Sequence, residues 1–378
     1  MSLSVLRPAF SAAAATCSGN GLARFAFVPL FPALVHAGWV TGGQAAALGA
    51  AALGGYLVGT LMGRPMALRI GVPRTLDVGM AVIVTSLVAC IWNGGFWWLM
   101  VWRALAGVGG GLVMALAGPA SQASVPPRLR GVAGGIVLAG IGTGIAGGAL
   151  LVPAAAPFGI AATWAVLAGT VALLWIGARL CWPALPLASH RQTDRVPPAF
   201  LLLATYGLHS AGMVPPMVYL ADLAARGRGL GVTAGSMTWL VFGTVGVAGG
   251  LLSGHFSDRH GGRTALVVWM AVQTVALGLC LPAVHGLIWL AAATAGFAAV
   301  GVSTIALAVA REMAPDHAVQ LWVRCTAMFG IVQTVVAFAL AALFAWTGEN
   351  HHAVFMTGLA FSVLGMLTAV VLRRQSAA

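Results

Sequence analysis

The sequence predicts an all-α polytopic membrane protein: twelve transmembrane helices in two six-helix repeats. Three observations predict it. Charged residues make up 7% of the 378 residues, against roughly a quarter in an ordinary soluble domain. Apolar types make up 60% and the mean hydropathy is +0.97, so a water-soluble fold would lack the polar surface to cover its core. Apolar stretches recur along the whole chain, and twelve spans of about 22 residues leave roughly 114 residues for loops and tails. That is too little for an added soluble domain. The composition excludes a soluble enzyme, a secreted disulfide scaffold and a disordered protein.

The first apolar stretch, Leu6 to Ala37, carries one Arg before it deepens and continues well past the small-residue run Ala12–Ala15. It reads as a retained first span rather than a cleaved leader. Hydropathy and breakers place the spans at 8–36, 42–66, 76–92, 96–120, 131–156, 158–182, 199–221, 232–255, 264–283, 286–311, 321–346 and 352–372. The polar stretch from Pro183 to Pro198 then acts as a cytoplasmic linker between halves 1–182 and 199–378. Span 2 carries Gly55, Gly59 and Gly63, and span 8 carries Gly246, Gly250 and Gly254, each pair 191 residues apart. Small residues at this spacing let helices approach closely in lipid, and their recurrence points to a duplicated unit, as in transporters built from parallel repeats.

The net charge of +12 comes with 19 basic residues, all Arg. No basic run interleaved with aromatics appears, so nucleic acid is not an expected partner. Fourteen Arg fall on one side of the twelve-span layout and only Arg226 and Arg228 lie in loops on the other. The excess of positive charge marks the cytoplasmic side and puts both termini there. The five Cys are scattered without a C-x-x-C pair and read as small apolar residues. Trp92, Trp97, Trp98 and Trp102 sit at the outer ends of spans 3 and 4 as an interfacial belt.

The loop after span 8 reads Gly254-His255-Phe256-Ser257-Asp258-Arg259-His260-Gly261-Gly262-Arg263. Asp258 at a helix end can hold Arg263 and the positive end of a neighbouring helix, a candidate latch. Its candidate members are Gly254, Asp258, Arg259, Gly261 and Arg263. The matching loop after span 2, from Gly63 to Gly71, has no Asp. The span 8 loop resembles the G-x-x-x-D-R-x-G-R-R pattern of the major facilitator superfamily. Arg103 followed by the glycine-rich run 107–111 in span 4 resembles that superfamily too. Gly21-Leu22-Ala23-Arg24-Phe25-Ala26-Phe27-Val28-Pro29-Leu30, and span 7 from Val214 to Gly227, resemble the YbfB/YjiJ-type subgroup. The resemblance implies a monomeric solute transporter of the bacterial inner membrane working by alternating access, with spans 1, 4, 7 and 10 lining its cavity. It names no solute and implies no cofactor.

The residues themselves suggest a small organic anion, taken by symport. Arg24 falls near the middle of span 1, where a guanidinium must face protein or water; its planar fork suits a carboxylate. Asn20 lies one turn before it. Arg103 is a second cation, and Tyr206 and His209 of span 7 complete the substrate-binding candidates. The alternative for each Arg is a structural role, bonded to backbone carbonyls at a helix break. His209, of the one residue type that titrates near neutral pH unperturbed, and Asp222, at the outer end of span 7, are the coupling candidates. Asp222 also has Arg226 one turn on as an ion-pair partner. Pro215 and Pro216 are expected to break span 7.

Two other readings use the same residues. A copper importer would use the Met/His stripe His209, Met213 and Met217, soft ligands that suit Cu(I), with Met213 and Met217 as the metal pair. Met213-Val214-Pro215-Pro216-Met217 resembles the M-x-x-x-M of copper-importing facilitators, but span 8 lacks the matching His. Glu349, His351 and His352 form a second, weaker candidate metal cluster in the last outer loop. A drug or metabolite exporter would be expected to hold an acid deep in the N-terminal half, and none is present. No nucleophile–base pair or carboxylate dyad stands out within the spans, so an enzyme is not expected.

Overall fold

The computed structural model describes residues 6–126, 129–182 and 198–375. Among the described residues every regular element is helical. The chain forms two compact units, 1–190 and 191–378. The expected linker lies outside the described residues apart from Pro198.

In the first unit, span 1 is built of three pieces: α1 (Arg7–Thr16), a π-helical segment Cys17–Phe25, and α2 (Phe27–His36). It is followed by α3 (Gly42–Ile70), α4 (Val72–Ala89), α5 (Phe96–Ala123), α6 (Arg130–Ala155) and α7 (Ile160–Arg179). The second unit holds α8 (Phe200–Asp222), α9 (Gly231–His260), α10 (Gly262–Leu279), α11 (Leu287–Met313), α12 (Ala318–Trp346) and α13 (His351–Arg374). Ten of these helices are each long and apolar enough to cross a membrane. Outside that ten stand the interrupted span 1 and α8, which carries Thr205, Tyr206, His209, Ser210 and two prolines.

Lipid gives helices no hydrophobic reason to associate, so close backbone approach has to supply the attraction. In the first unit α3 and α5 dovetail. A Cβ on Gly55 would strike the Ala104 carbonyl, one on Gly59 the Val108 carbonyl, and ones on Gly107 and Gly111 the carbonyls of Ala52 and Tyr56. In the second unit α9 and α11 pair through a shifted set. Gly249 meets the Phe297 carbonyl and Gly296 the Phe242 carbonyl, whereas Gly250 faces only the Val300 side chain at 2.9 Å and Gly254 faces Thr304 at 3.9 Å. The turns agree with that shift. Gly71 (φ +87°) and Gly261 (φ +82°) end α3 and α9, and they lie 190 residues apart rather than 191. One residue rotates a helix face by about 100°, which is why Gly249 takes the role that the 191-residue spacing assigns to Gly250.

Candidate functional site

The π-helical segment positions the cationic residues of the first unit. α6 carries Gly140, Gly144 and Gly148 on one face. Side chains there would collide with the Ala13 carbonyl, with Gly21 and with Ala26. Gly110 of α5 presses on Gly19 from another direction, with 3.0 Å between a Cβ there and the Gly19 carbonyl oxygen. Span 1 is therefore clasped by glycine faces along its irregular stretch. π-helical turns recur at functional sites.

Arg24 ends the π segment, half-buried, with its guanidinium 4.8 Å from the Phe25 ring centroid and 4.6 Å from that of Tyr56. Asn20 is buried, and its Oδ1 has no hydrogen-bond partner among the described residues. Arg103 is 1% exposed. Its Nη1 donates to the Ala23 carbonyl at 2.6 Å, and the guanidinium lies 4.3 Å from the Phe27 ring and 5.9 Å from Trp164. Nε and Nη2 of Arg103, and the Trp164 indole N–H, find no acceptor among the described residues. Arg103 thus makes the carbonyl bond of a structural arginine and still holds two donors in reserve. Its aromatic neighbours stabilise the charge without using those donors.

In the second unit α8 runs unbroken through Pro215 and Pro216 to Asp222, which corrects the expected break. Neighbouring helices can compensate for the lost backbone bonds in such a span. Gly358 of α13 leaves room for the Pro215 ring, because a Cβ there would fall 2.5 Å from Pro215 Cγ. The irregularity comes later, as a π turn at Leu223–Gly227. His209 is fully buried and bonds Gln273 of α10 through Nδ1. Tyr206 bonds Ser303 of α11 at 2.9 Å and stacks on His209 at 5.9 Å. Met213 is buried; the Met217 sulfur accepts from Gln333 Nε2 at 3.4 Å. Among the described residues no group of three His, Cys, Asp or Glu is placed to hold a metal ion.

The end of α8, at the Leu223–Gly227 turn, carries an ion cluster that sequence reasoning saw only in part. Arg226 grips Asp222 with both Nε (2.6 Å) and Nη2 (2.7 Å), and its Nη1 reaches Glu349 at 2.5 Å. His351 Nε2 meets the second Asp222 oxygen at 2.8 Å. Burial opposes the Arg226 charge, but the hydrogen bonds and charges of Asp222 and Glu349 outweigh it and hold the guanidinium above its ordinary range. Glu349 and His351, read from the sequence as a weak metal cluster with His352, are instead partners of the Asp222–Arg226 pair.

At the α9–α10 turn the latch residues are placed differently from expectation. Asp258 and Arg259 are exposed on the last turn of α9, and Asp258 makes no ion pair within 4 Å among the described residues. Arg263 turns away and donates to the Leu372 carbonyl at 3.4 Å. The carboxylate at the N-terminus of α10 is Glu312 of α11, which accepts from the Gly262 N–H, a placement the helix dipole favours. Only proximity in the fold brings Glu312 there, 50 residues along the chain from Gly262. In the first unit Asp77 of α4 accepts from the indoles of Trp175 (2.8 Å) and Trp182 (3.0 Å) and lies 3.4 Å from Arg179, tying α4 to α7.

This geometry can be set beside known proteins. No curated protein sequence matches the chain. Among solved structures, a D-xylose–proton symporter is similar with a TM-score of 0.71 at 13% identity, with 97% of each chain covered. The xylose transporter XylE from E. coli, in a partially occluded inward-open conformation, is similar with a TM-score of 0.70 at 14% identity and the same coverage. At that identity the likeness shows a shared fold and not a shared solute. Residues 16–370 match the family described as "Uncharacterised MFS-type transporter YbfB". Ten membrane-length apolar helices among the described residues and a family match over nearly the whole length give one conclusion: the chain belongs to the YbfB-type family of major facilitator transporters and is a multi-pass membrane transporter of small solutes.

Proposed function

We propose that the solute is a small organic anion, carried across the bacterial inner membrane by alternating access. The halves 1–182 and 199–378 would act as the moving repeats, both termini would be cytoplasmic and the unit would be a monomer. The observation that carries the anion reading is Arg103: a fully buried guanidinium with one donor on the Ala23 carbonyl and two donors unused. A buried charge-bearing donor without an acceptor is costly, and a carboxylate is the group whose geometry meets it. Arg24, at the end of the same π segment, supplies a second positive charge for that anion. Proton drive is the companion proposal, with His209 and Asp222 as carriers. Asp222, bonded to both Arg226 and His351, is committed to the ion cluster, which leaves His209 as the freer group.

The test is a thermal-shift screen of the purified protein against lactate, succinate, benzoate, tetraphenylphosphonium and Cu(I), with Arg24→Ala and Arg103→Ala in parallel. A ligand at a hundredfold excess over Kd stabilises by about 2.7 kcal/mol. A carboxylate response lost in both variants supports the reading. A response to Cu(I) alone, untouched by those variants, replaces it with a copper site on α8. A response to the lipophilic cation alone replaces it with an exporter.

A further inference from the structure

His209 sits in a neutral hydrogen-bond network that decides which of its nitrogens carries the proton. Gln273 Nε2 donates to the His209 carbonyl at 3.1 Å and to Ser362 Oγ of α13 at 2.7 Å. The carbonyl needs a donor, so the amide cannot turn over: reversed, its oxygen would face a carbonyl oxygen, and the Ser362 hydroxyl accepts from the same nitrogen. Gln273 Oε1 is thereby an acceptor, and it faces His209 Nδ1. Nδ1 must supply the hydrogen. In a neutral imidazole the other nitrogen is then a bare lone pair, and Nε2 has no partner among the described residues. All three side chains are 0% exposed. Gly212 of α8 leaves the space for this arrangement, because a Cβ there would fall against Ser362 Oγ and Gln273 Nε2.

The groups that face the ring are Tyr206 from α8, stacked at 5.9 Å, Phe329 from α12 at 6.0 Å, and Gln273 from α10. Ser362 of α13 and Ser303 of α11 stand one bond further out, and Cys325 lies in the apolar cluster around Tyr206. Tyr206 and Cys325 are the titratable groups of this set, and both are neutral near pH 7 unperturbed. A charge arriving at Nε2 therefore has no built-in counter-ion among these neighbours.

We propose that Gln273 and Ser362 hold His209 in the tautomer that presents Nε2 as the proton-accepting atom of the second unit, the site of the coupling proton. The step is a simple one: a proton from solution bonds to the Nε2 lone pair, the ring becomes imidazolium, and Nδ1–H stays on Gln273. Release reverses it. Gln273 and Ser362 are positioning residues. The inference rests on proton drive as proposed above, but its test does not depend on the solute.

The full-length protein in nanodiscs, labelled with ¹⁵N-histidine, is followed by ¹⁵N NMR from about pH 8 to about pH 5, with His209→Gln assigning the signal. The expected result is a protonated Nδ1 and a bare Nε2 at the alkaline end, converting to a doubly protonated ring on acidification. Gln273→Leu is expected to mix the tautomers and move the midpoint by at least about half a pH unit. If Gln273→Leu does not fold, Gln273→Met, which removes the acceptor and keeps most of the volume, gives the same readout, and Ser362→Ala, which removes one acceptor of the amide, is expected to move the midpoint by less. A protonated Nε2 at the alkaline end overturns the proposal, as does a ring that never titrates. An unchanged tautomer in the folded variants overturns the positioning roles. A carboxylate thermal shift with no His209 titration removes this inference and leaves the anion reading standing. Titration without any carboxylate shift does the reverse.

Discussion

Each unit buries a polar cluster around its candidate site, and these two clusters are built from opposite chemistry. The first unit buries charge. Arg24 and Arg103 meet a π-helical backbone, one carbonyl and aromatic faces. The second unit buries neutral groups. His209, Gln273 and Ser362 satisfy one another across three regular helices and leave a single acceptor over. The difference teaches what each cluster asks of its backbone. A buried cation needs acceptors that a regular apolar helix keeps for itself, so the chain loosens at Cys17–Phe25 and spends glycines on holding that stretch. A neutral network can be closed by side chains alone, and α8 stays helical even through two prolines.

The largest effect that can break this comparison lies in the packing beneath the clusters. Gly59→Ala sets a methyl against the Val108 carbonyl, which cannot give way. It is expected to cost about 3 kcal/mol, whereas Gly250→Ala, facing only a Val300 side chain, should cost under about 1 kcal/mol. Thermal unfolding followed by size exclusion reads both. Equal losses would mean that Gly250, and not Gly249, takes the place of Gly59 in the α9–α11 contact.

Next comes the charge itself. Arg103→Met removes a buried cation and fills most of its volume. Ligand-free stability is expected to stay within about 2 kcal/mol, because an apolar replacement of a buried charge is often neutral. The carboxylate-induced shift of about 2.7 kcal/mol at saturating ligand is expected to vanish. A variant that keeps its ligand response but unfolds early would make Arg103 a purely structural tie to Ala23.

The ion cluster around Asp222 sharpens the contrast from a third direction, since here the second unit does hold charge, but paired. Asp222→Asn removes the negative charge that Arg226 Nε and Nη2 and His351 bond. It is expected to cost about 2 kcal/mol, below the full penalty for a buried pair because Arg226 is partly exposed. Chemical denaturation of the variant against Asp222→Asn/Arg226→Met separates the pair from its members. The smallest effect is expected at Asp77, where Trp182→Phe removes one of two indole donors and should cost about 1 kcal/mol. A larger loss there would mark the α4–α7 tie as a second charge-holding device of the first unit.

Much of this could be read along the chain. The long apolar helices, the glycine runs and the Asp222–Arg226 pair at one-turn spacing are local patterns. Arg24 and Arg103 stood out because a cation in an apolar stretch is conspicuous without any partner in view. The π segment was not legible, because Cys17-Ser18-Gly19-Asn20-Gly21 carries no helix-breaking proline and the widening answers glycines on α5 and α6. The prolines of α8 misled for the opposite reason: Gly358 of α13 makes room for Pro215 from outside the helix. Glu312 was missed as the carboxylate at the start of α10, and Gln273 and Ser362 were missed as the partners of His209, since each bond joins residues more than about one helix length apart.

What the sequence determined by itself is whatever depends on transfer to lipid and on spacing within one helix: the membrane class, twelve spans, charges at the ends, and which residues are costly to bury. The solvent imposes those residue by residue. What only the tertiary structure decided is which costly group meets which partner. Arg103 took a carbonyl from span 1, His209 took Gln273 as its partner, and Gly262 took its carboxylate from Glu312 rather than Asp258. Hydrogen bonds act over about 3 Å, and no periodicity along a chain specifies which helices will come that close.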